Sequence, residues 1–207
     1  MTATAPKPIA AKPRILGSWI FPEFRTLAQV FELSGKPYTE ESKLDLFSEN
    51  GHADYSILNP AGTGVCAYVD KEKIVADPSN LTKYLCRAYC IDSLYPTADP
   101  KLRNEIDGFL DLAYTSIKQT GARLTKLLIL KNMRDSERIA KLSEEKQKYY
   151  DDEWRSEREV LLEVIIPKLE QRLDVDGDRY LTGNTLTVAD LAIFNELTNA
   201  LTVLKEN

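Results

Sequence analysis

A short proline-punctuated segment, from Tyr95-Pro96 to Asp99-Pro100, divides this 207-residue chain into two parts with different hydrophobic patterns. Before it, short apolar runs alternate with amphipathic stretches. After it, every long segment has the 3.6-residue period of a helix. This order predicts an α/β unit followed by an all-helical one. We expect four parts: a flexible leader at 1–13, an α/β domain at 14–92, a linker at 93–100 and a helical domain at 101–207.

The first part has the element order of a thioredoxin-like domain, β-α-β-turn-β-β-α. Its first helix places four apolar residues at helical spacing on one face: Phe24, Leu27, Ala28 and Phe31. The other predicted elements are strands at Arg14–Ile20, Tyr38–Phe47, Val65–Val69 and Ile74–Ala76, a loop with a short helical turn at 50–59, a polar hairpin turn at 70–73, and a helix that carries Leu81, Tyr84, Leu85 and Ala88.

The second part opens with a sustained apolar face of helical period. The face comprises Ile106, Phe109, Leu110, Ala113, Ile117, Leu124 and Leu127 or Leu128. A charged stretch from Lys131 to Arg158 follows and alternates in sign. That pattern is typical of a solvated helix face, so we do not interpret the acidic run Asp151-Asp152-Glu153 as a metal site.

Thr187 and Asp190 form a predicted capping box at the start of the last helix. In this motif the Thr187 hydroxyl accepts from the backbone N–H of Asp190, and the Asp190 carboxylate accepts from the N–H of Thr187. We therefore assign the pair to folding and not to function. The helix that follows is expected to turn these residues inward: Leu191, Phe194, Leu197, Leu201 and Leu204.

Composition excludes several classes of function. The net charge of −5 offers no basic surplus for nucleic acid, and the apolar runs are too short to cross a bilayer. The single histidine argues against zinc sites rich in histidine. Three cysteines, Cys66, Cys86 and Cys90, make an odd count without a CxxC pair, which indicates reduced thiols in the cytoplasm or another reducing compartment. The leader lacks acids and carries lysines, which leaves a mitochondrial transit peptide as the alternative to a flexible tail.

Taken in order, these motifs resemble the cytosolic glutathione transferases, most closely the theta-like classes. YLTGNTLTVADLAIFNEL is similar to the family's folding signature around its buried capping box, and DSLYP to its interdomain linker. NPAGTGV resembles the family's NPxGxVP with one extra residue. The resemblance spans about residues 14–204. It implies a glutathione-transferase fold: a thioredoxin-like domain, a helical domain and a cleft between them.

The resemblance also implies a glutathione site, in which the thiol is activated by a hydroxyl or thiol at the start of the first helix. Aligned on Arg25 and Pro37, that position is Phe21, which has no donor. Ser18 is the candidate substitute, although it lies on the strand side.

A cis proline before the third strand is the second device that the family implies. Here Val65 precedes Cys66, and a cis bond without proline costs about 2.5–4 kcal/mol. We therefore predict a trans bond. Cys66 is open to two interpretations, a packed small residue or a reactive thiol in the cleft.

The third implied device is an acid-serine pair at the start of the helix after the sheet, where the γ-glutamyl carboxylate binds. The aligned pair is Asp77-Pro78. Pro78 has neither hydroxyl nor N–H, although it suits the first position of a helix that Asp77 caps. Ser79 is the candidate replacement.

The sequence therefore favours a transferase fold with a degraded glutathione site, kept as a non-catalytic interaction or structural subunit of a larger assembly. One alternative is an active theta-like transferase with glutathione as its cofactor. The other is a thiol oxidoreductase that depends on Cys66. We expect a protein partner, no nucleic acid, no transmembrane segment and no metal, and a homodimer stays open.

Overall fold

The computed structural model describes residues 11–41, 59, 64–70, 72–74, 77–135, 143–174 and 177–205. Its sheet has four strands in the order β2-β1-β3-β4. Strand β1 runs parallel to β2 and antiparallel to β3, which is antiparallel to β4. The strands are β1 (Arg14–Gly17), β2 (Thr39–Glu41), β3 (Val65–Val69) and β4 (Glu72–Ile74).

The α-helices of the described ranges are α1 (Pro22–Ser34), α2 (Pro78–Ala88), α3 (Pro100–Leu112), α4 (Lys118–Asp135), α5 (Glu144–Glu159), α6 (Ile166–Asp174) and α7 (Val188–Lys205). Two π-helical segments join α3 to α4 and α5 to α6: Ala113–Ile117 and Val160–Ile165. The predicted fold class, a thioredoxin-like region followed by a helical domain, is confirmed. Where the helices are described, none is both long and apolar enough to span a membrane.

Three helices begin with proline, as local sequence dictates. Proline suits the first helical position because the N–H there has no partner within the helix. Asp77 caps α2 by accepting from the N–H of Asn80 at 3.0 Å. Asp99 caps α3 by accepting from the N–H of Lys101 at 3.0 Å. Helix α1 ends at Gly35, whose φ of 65° lies in the left-handed region that glycine adopts easily.

The turn between β3 and β4 is shorter than predicted. Val69 pairs with Glu72, which leaves a two-residue turn whose first residue, Asp70, has a φ of 48°. Strand β4 therefore begins at Glu72 and not at Ile74. Charged residues can join it because β4 is an edge strand with solvent beside it.

Other boundary predictions fall partly outside the described residues. Strand β2 covers only the start of the predicted Tyr38–Phe47 strand, and 42–47 lie beyond the description. The same holds for the first ten residues of the leader, for the predicted loop at 50–59 except Asn59, and for Val75 and Ala76.

Two predicted helix faces pack in the core. The α1 residues Phe24, Leu27, Ala28 and Phe31 are fully buried. So are Ile106, Leu110, Ala113, Ile117 and Leu124 along α3 and α4. Helix α5, by contrast, has no buried residue, which confirms the predicted solvated face over its length.

The predicted inward face of α7 is wrong at Phe194, which is 61% exposed. Leu191 is buried, and the other three leucines are only partly so. The face that packs instead combines alanines, two polar residues and two β-branched apolar residues: Ala189, Ala192, Ala200, Asn195, Glu196, Ile193 and Val203. Small residues let α7 approach α4 closely: a Cβ at Gly121 would lie 3.2 Å from that of Ala200.

The Thr187–Asp190 pair has a geometry that differs from the predicted one. The Asp190 carboxylate accepts from the Thr187 N–H at 2.8 Å, while the Thr187 hydroxyl donates to the same carboxylate at 3.0 Å. Its other oxygen accepts from the N–H of Leu181 at 2.8 Å. Next to it, the N–H of Val188 donates to the carbonyl of Leu94 at 3.0 Å. This end of α7 is thus tied to two earlier segments of the chain.

We predict that Asp190→Ala lowers the free energy of unfolding by about 2 kcal/mol or more. It leaves the buried N–H groups of Thr187 and Leu181 without partners, and each such group costs about 1–3 kcal/mol. Urea denaturation followed by circular dichroism measures the change. Asp151→Ala, on exposed α5, is the matched control and should change little. Equal stability of the two variants would contradict the assigned role.

Candidate functional site

Phe21 and the start of β3 lie side by side, as the resemblance requires of two parts of a glutathione site. Phe21 precedes α1 in an extended conformation, and its N–H donates to the carbonyl of Ser18 at 2.9 Å. A Cβ at Gly64 would come within 2.8 Å of the Cβ of Phe21. Phe21 thus lies beside the entry to β3, and its assignment to the position of the activating hydroxyl or thiol stays a prediction of the sequence alignment.

Ser18 lies in the turn between β1 and α1. Its hydroxyl oxygen is 3.5 Å from the backbone nitrogen of Ile20, within the same turn. The side chain is half-buried, and its one described contact is local.

The Val65–Cys66 peptide bond is trans, as the missing proline predicts. Cys66 lies in β3 opposite Leu16 of β1, and its side chain is fully buried. Cys86 is buried as well, and burial raises the pKa of its thiol to about 12. Cys90, at the end of α2, is the exposed thiol of the described cysteines. Burial of Cys66 removes the access that a reactive cleft thiol would need.

The start of α2 is occupied by contacts within the protein. Asp77 serves as the cap, and Pro78 takes the first helical position. Ser79 is only 6% exposed, and its hydroxyl donates to the Asp111 carboxylate of α3 at 2.9 Å. Lys83 pairs with the same carboxylate at 3.3 Å. These contacts join α2 to α3 at the place where the family would bind a carboxylate.

A cluster that the sequence analysis did not identify lies where α1, α4 and α7 meet. We name it the junction cluster: Glu23, Arg25, Thr26, Tyr114, Lys118, Asn195 and Glu196. Asn195 is its centre, because its amide donates to the Thr26 hydroxyl at 3.1 Å and to Gln29 at 2.8 Å. The buried face of α7 was predicted from the spacing of apolar residues, and that spacing does not identify buried polar residues.

Arg25 connects this cluster to the surface. Its guanidinium donates to the side chain and the carbonyl of Asn195, both at 3.2 Å. It also donates to the carbonyls of Trp19 at 2.8 Å and Ile20 at 3.2 Å. The side chains of Trp19 and Ile20, whose carbonyls it contacts, are exposed, and so is that of Phe194, the residue before Asn195. We name these three the apolar surface.

The cluster holds two buried carboxylates. Glu23 forms an ion pair with Lys118, and its second oxygen has no hydrogen-bond partner. Glu196 also has an unpartnered buried oxygen. Burial first, and then the charge of Glu23, raise the pKa of Glu196 to about 8 against the opposing charges of Lys118 and Arg25.

No group of three or more His, Cys, Asp or Glu side chains in the described ranges is placed to hold a metal ion. That statement covers the described acids of α5, including Asp151-Asp152-Glu153, which are exposed.

Comparison with known proteins gives the family context. Residues 132–207 match the family model for the glutathione S-transferase C-terminal domain. No curated protein sequence matches the chain. Among solved structures, an epsilon-class glutathione S-transferase from the housefly Musca domestica has a TM-score of 0.67 at 22% identity, over 92% of this chain and 78% of that one.

Other solved structures are similar to a comparable degree. Glutathione S-transferase isozyme E7 from Drosophila melanogaster has a TM-score of 0.67 at 21% identity, over 94% of this chain and 79% of that one. Human glutathione S-transferase T1-1 has a TM-score of 0.64 at 18% identity, over 92% of this chain and 74% of that one. The chain thus has the glutathione-transferase fold, and the resemblance to the cytosolic superfamily is confirmed at that level.

We predict that Cys90 alone reacts quickly with a thiol reagent in the native protein. Cys66 and Cys86 need the chain to open, so their labelling should be more than about 100-fold slower. Mass spectrometry of peptides after brief alkylation measures each site. Cys90→Ala should abolish the fast phase, and rapid native labelling of Cys66 would restore the oxidoreductase alternative.

Proposed function

We propose that this chain uses its glutathione-transferase fold to bind another protein and carries out no glutathione chemistry. It would then be a non-catalytic subunit without a cofactor. The three cysteines form no disulfide in the described part of the chain, which suits a reducing intracellular compartment. The observation that carries the proposal is the start of α2, where Asp77 caps its own helix and the Ser79 hydroxyl donates to Asp111 of α3.

Carboxylate binding at this helix end would need free donors. Pro78 supplies neither a hydroxyl nor an N–H. The Ser79 hydroxyl, the nearest substitute, is buried and donates to Asp111. Each charge-assisted hydrogen bond lost costs about 1.5–3 kcal/mol, so losing two costs about two to four decades of affinity.

Thiol activation is unsupported for a separate reason. A thiolate needs a donor close to the sulfur, and Phe21 presents a hydrocarbon ring. The trans bond before Cys66 also aims the backbone of β3 differently from a cis-proline bend. Binding of glutathione and activation of its thiol would therefore fail for separate reasons.

We expect calorimetry to show no binding of glutathione to the native chain at millimolar concentration. The double variant Pro78→Ser with Cys66→Pro should bind it weakly, because a donor returns to α2 and the entry to β3 bends again. Conjugation should stay slow, since Phe21 is unchanged. Circular dichroism checks that the double variant folds.

Pro78→Ser alone keeps this test decisive if the proline in β3 prevents folding. It should gain measurable affinity over the native chain. Tight native binding with turnover of chlorodinitrobenzene would instead establish the alternative, an active transferase with a rearranged site.

The apolar surface supports a protein partner. Trp19, Ile20 and Phe194 are large exposed side chains on residues that make or adjoin the backbone contacts of one guanidinium, and exposed apolar groups that form a patch mark interaction sites more often than scattered ones do. Aromatic residues are also enriched in protein interfaces.

A photo-crosslinking residue at Ile20 or at Phe194 should capture the same partner from an extract of the source cells. Leu33 is the matched control, since it is exposed and apolar but lies at the other end of α1. Added native chain should compete with this capture, and Phe194→Ser at least about tenfold less well, because interface aromatics often contribute more than about 1.4 kcal/mol. Equal capture at all three positions would contradict the proposal, and capture of a second copy would make the partner a homodimer.

A further inference from the structure

The junction cluster brings buried carboxylates and half-buried cations to the contact between the thioredoxin-like region and the helical domain. Glu23 and Arg25 come from α1, Lys118 from the start of α4, and Glu196 from the middle of α7. Glu23 is 2% exposed and Glu196 is 3% exposed. Ionised carboxylates are rarely buried to this degree without a partner of opposite charge.

The two cations are already engaged elsewhere. Lys118 forms its ion pair with Glu23. The hydrogen bonds of Arg25 go to the carbonyls of Trp19 and Ile20 and to Asn195. Within the described part of the chain, Glu196 makes no ion pair.

Uncharged neighbours do not replace the missing partner. Four buried side-chain oxygens in the described residues have no hydrogen-bond partner: those of Glu23, Thr82, Tyr114 and Glu196. The last of these is the buried oxygen of a carboxylate that forms no ion pair among the described residues, and a neutral acid tolerates such a site better than an anion does.

We propose that Glu196 is carried as a neutral carboxylic acid at this junction, and that loss of its proton loosens the packing of α7 against α1. The junction then acts as a proton-operated latch between the two parts of the fold. Its titratable neighbours are Glu23 and Arg25 from α1, Tyr114 from the first π-helical segment and Lys118 from α4.

The latch reaches the candidate site through Glu23. A Cβ at Gly64 would lie 2.5 Å from the unpartnered oxygen of Glu23, so this carboxylate rests on the entry to β3 beside Phe21. A change in charge at Glu196 would thus act on the segment that precedes Cys66. This inference does not depend on the proposed function, because it concerns the junction and not a ligand.

The direction of the pH effect follows from the raised pKa. Glu196 binds its proton up to a pH of about 8 in the folded chain, but only to about 4.5 when unfolded. The folded state therefore binds more protons between these values, and stability falls as pH rises through that window. For each pH unit from about 5 to 8, this one proton should increase the equilibrium constant for unfolding about tenfold. The contributions of other titrating groups add to this slope.

Urea denaturation of the full chain at a series of pH values tests the latch. Glu196→Gln should lose this one-proton slope and be more stable than the native chain at pH 8, where the native acid begins to ionise. Glu170→Gln, an exposed acid on α6, is the matched control and should keep the native slope. A Glu196→Gln chain with the native slope, or one weakened equally at every pH, would overturn the proposal.

Two further measurements keep the test decisive if Glu196→Gln does not fold. Carbon-13 resonances of the Glu196 carboxyl in the native chain should titrate near pH 8, and a midpoint near 4.5 would refute the latch. Glu23→Gln should move that midpoint lower, because it removes a negative neighbour and frees Lys118. Hydrogen exchange in α7, corrected for intrinsic rates, should accelerate above pH 8 in the native chain.

Discussion

The side-chain amide of Asn195 is the interaction on which the rest of the architecture depends. Its nitrogen, which has two N–H groups, lies within hydrogen-bonding distance of Thr26 and Gln29 of α1 and of the Leu191 carbonyl in its own helix, while its oxygen accepts from Arg25. One side chain thus satisfies polar groups of both parts of the fold. Such a buried polar group carries a large penalty if any partner moves, so it permits only one relative placement of the two helices.

The candidate glutathione positions lie at the starts of two helices, and different contacts fix each of these helix starts. The start of α1 is fixed by the contact with α7, and its Phe21 contributes only a ring at the junction with β3. The start of α2 is fixed by Ser79 and Asp111 instead. The Ser79 hydroxyl thereby helps to hold the helical domain against the thioredoxin-like region.

Local features of this fold were predictable, and long-range polar ones were not. Proline and aspartate at the starts of α2 and α3 act within one turn, and the Phe24 face of α1 needs only helical period. Phe194 was misplaced because apolar periodicity gives no weight to a buried amide. The second bond of Asp190, to Leu181, depends on how the preceding loop folds back, which spacing alone does not encode.

The π-helical segment Ala113–Ile117 has a consequence for how this chain can vary in length. A π-helical turn holds one residue more than an α-helical turn, and deleting a residue there would restore a continuous α-helix. The wide turn takes up the additional residue, so the helix beyond it keeps nearly the orientation that it would have in a continuous α-helix. Lys118 would therefore still face Glu23, and Gly121 would still face Ala200. A deletion of one residue in a regular α-helical turn would instead rotate everything after it by about 100°, so this wide turn is the place in the helix where a change of length disturbs charge pairing and close helix contact least.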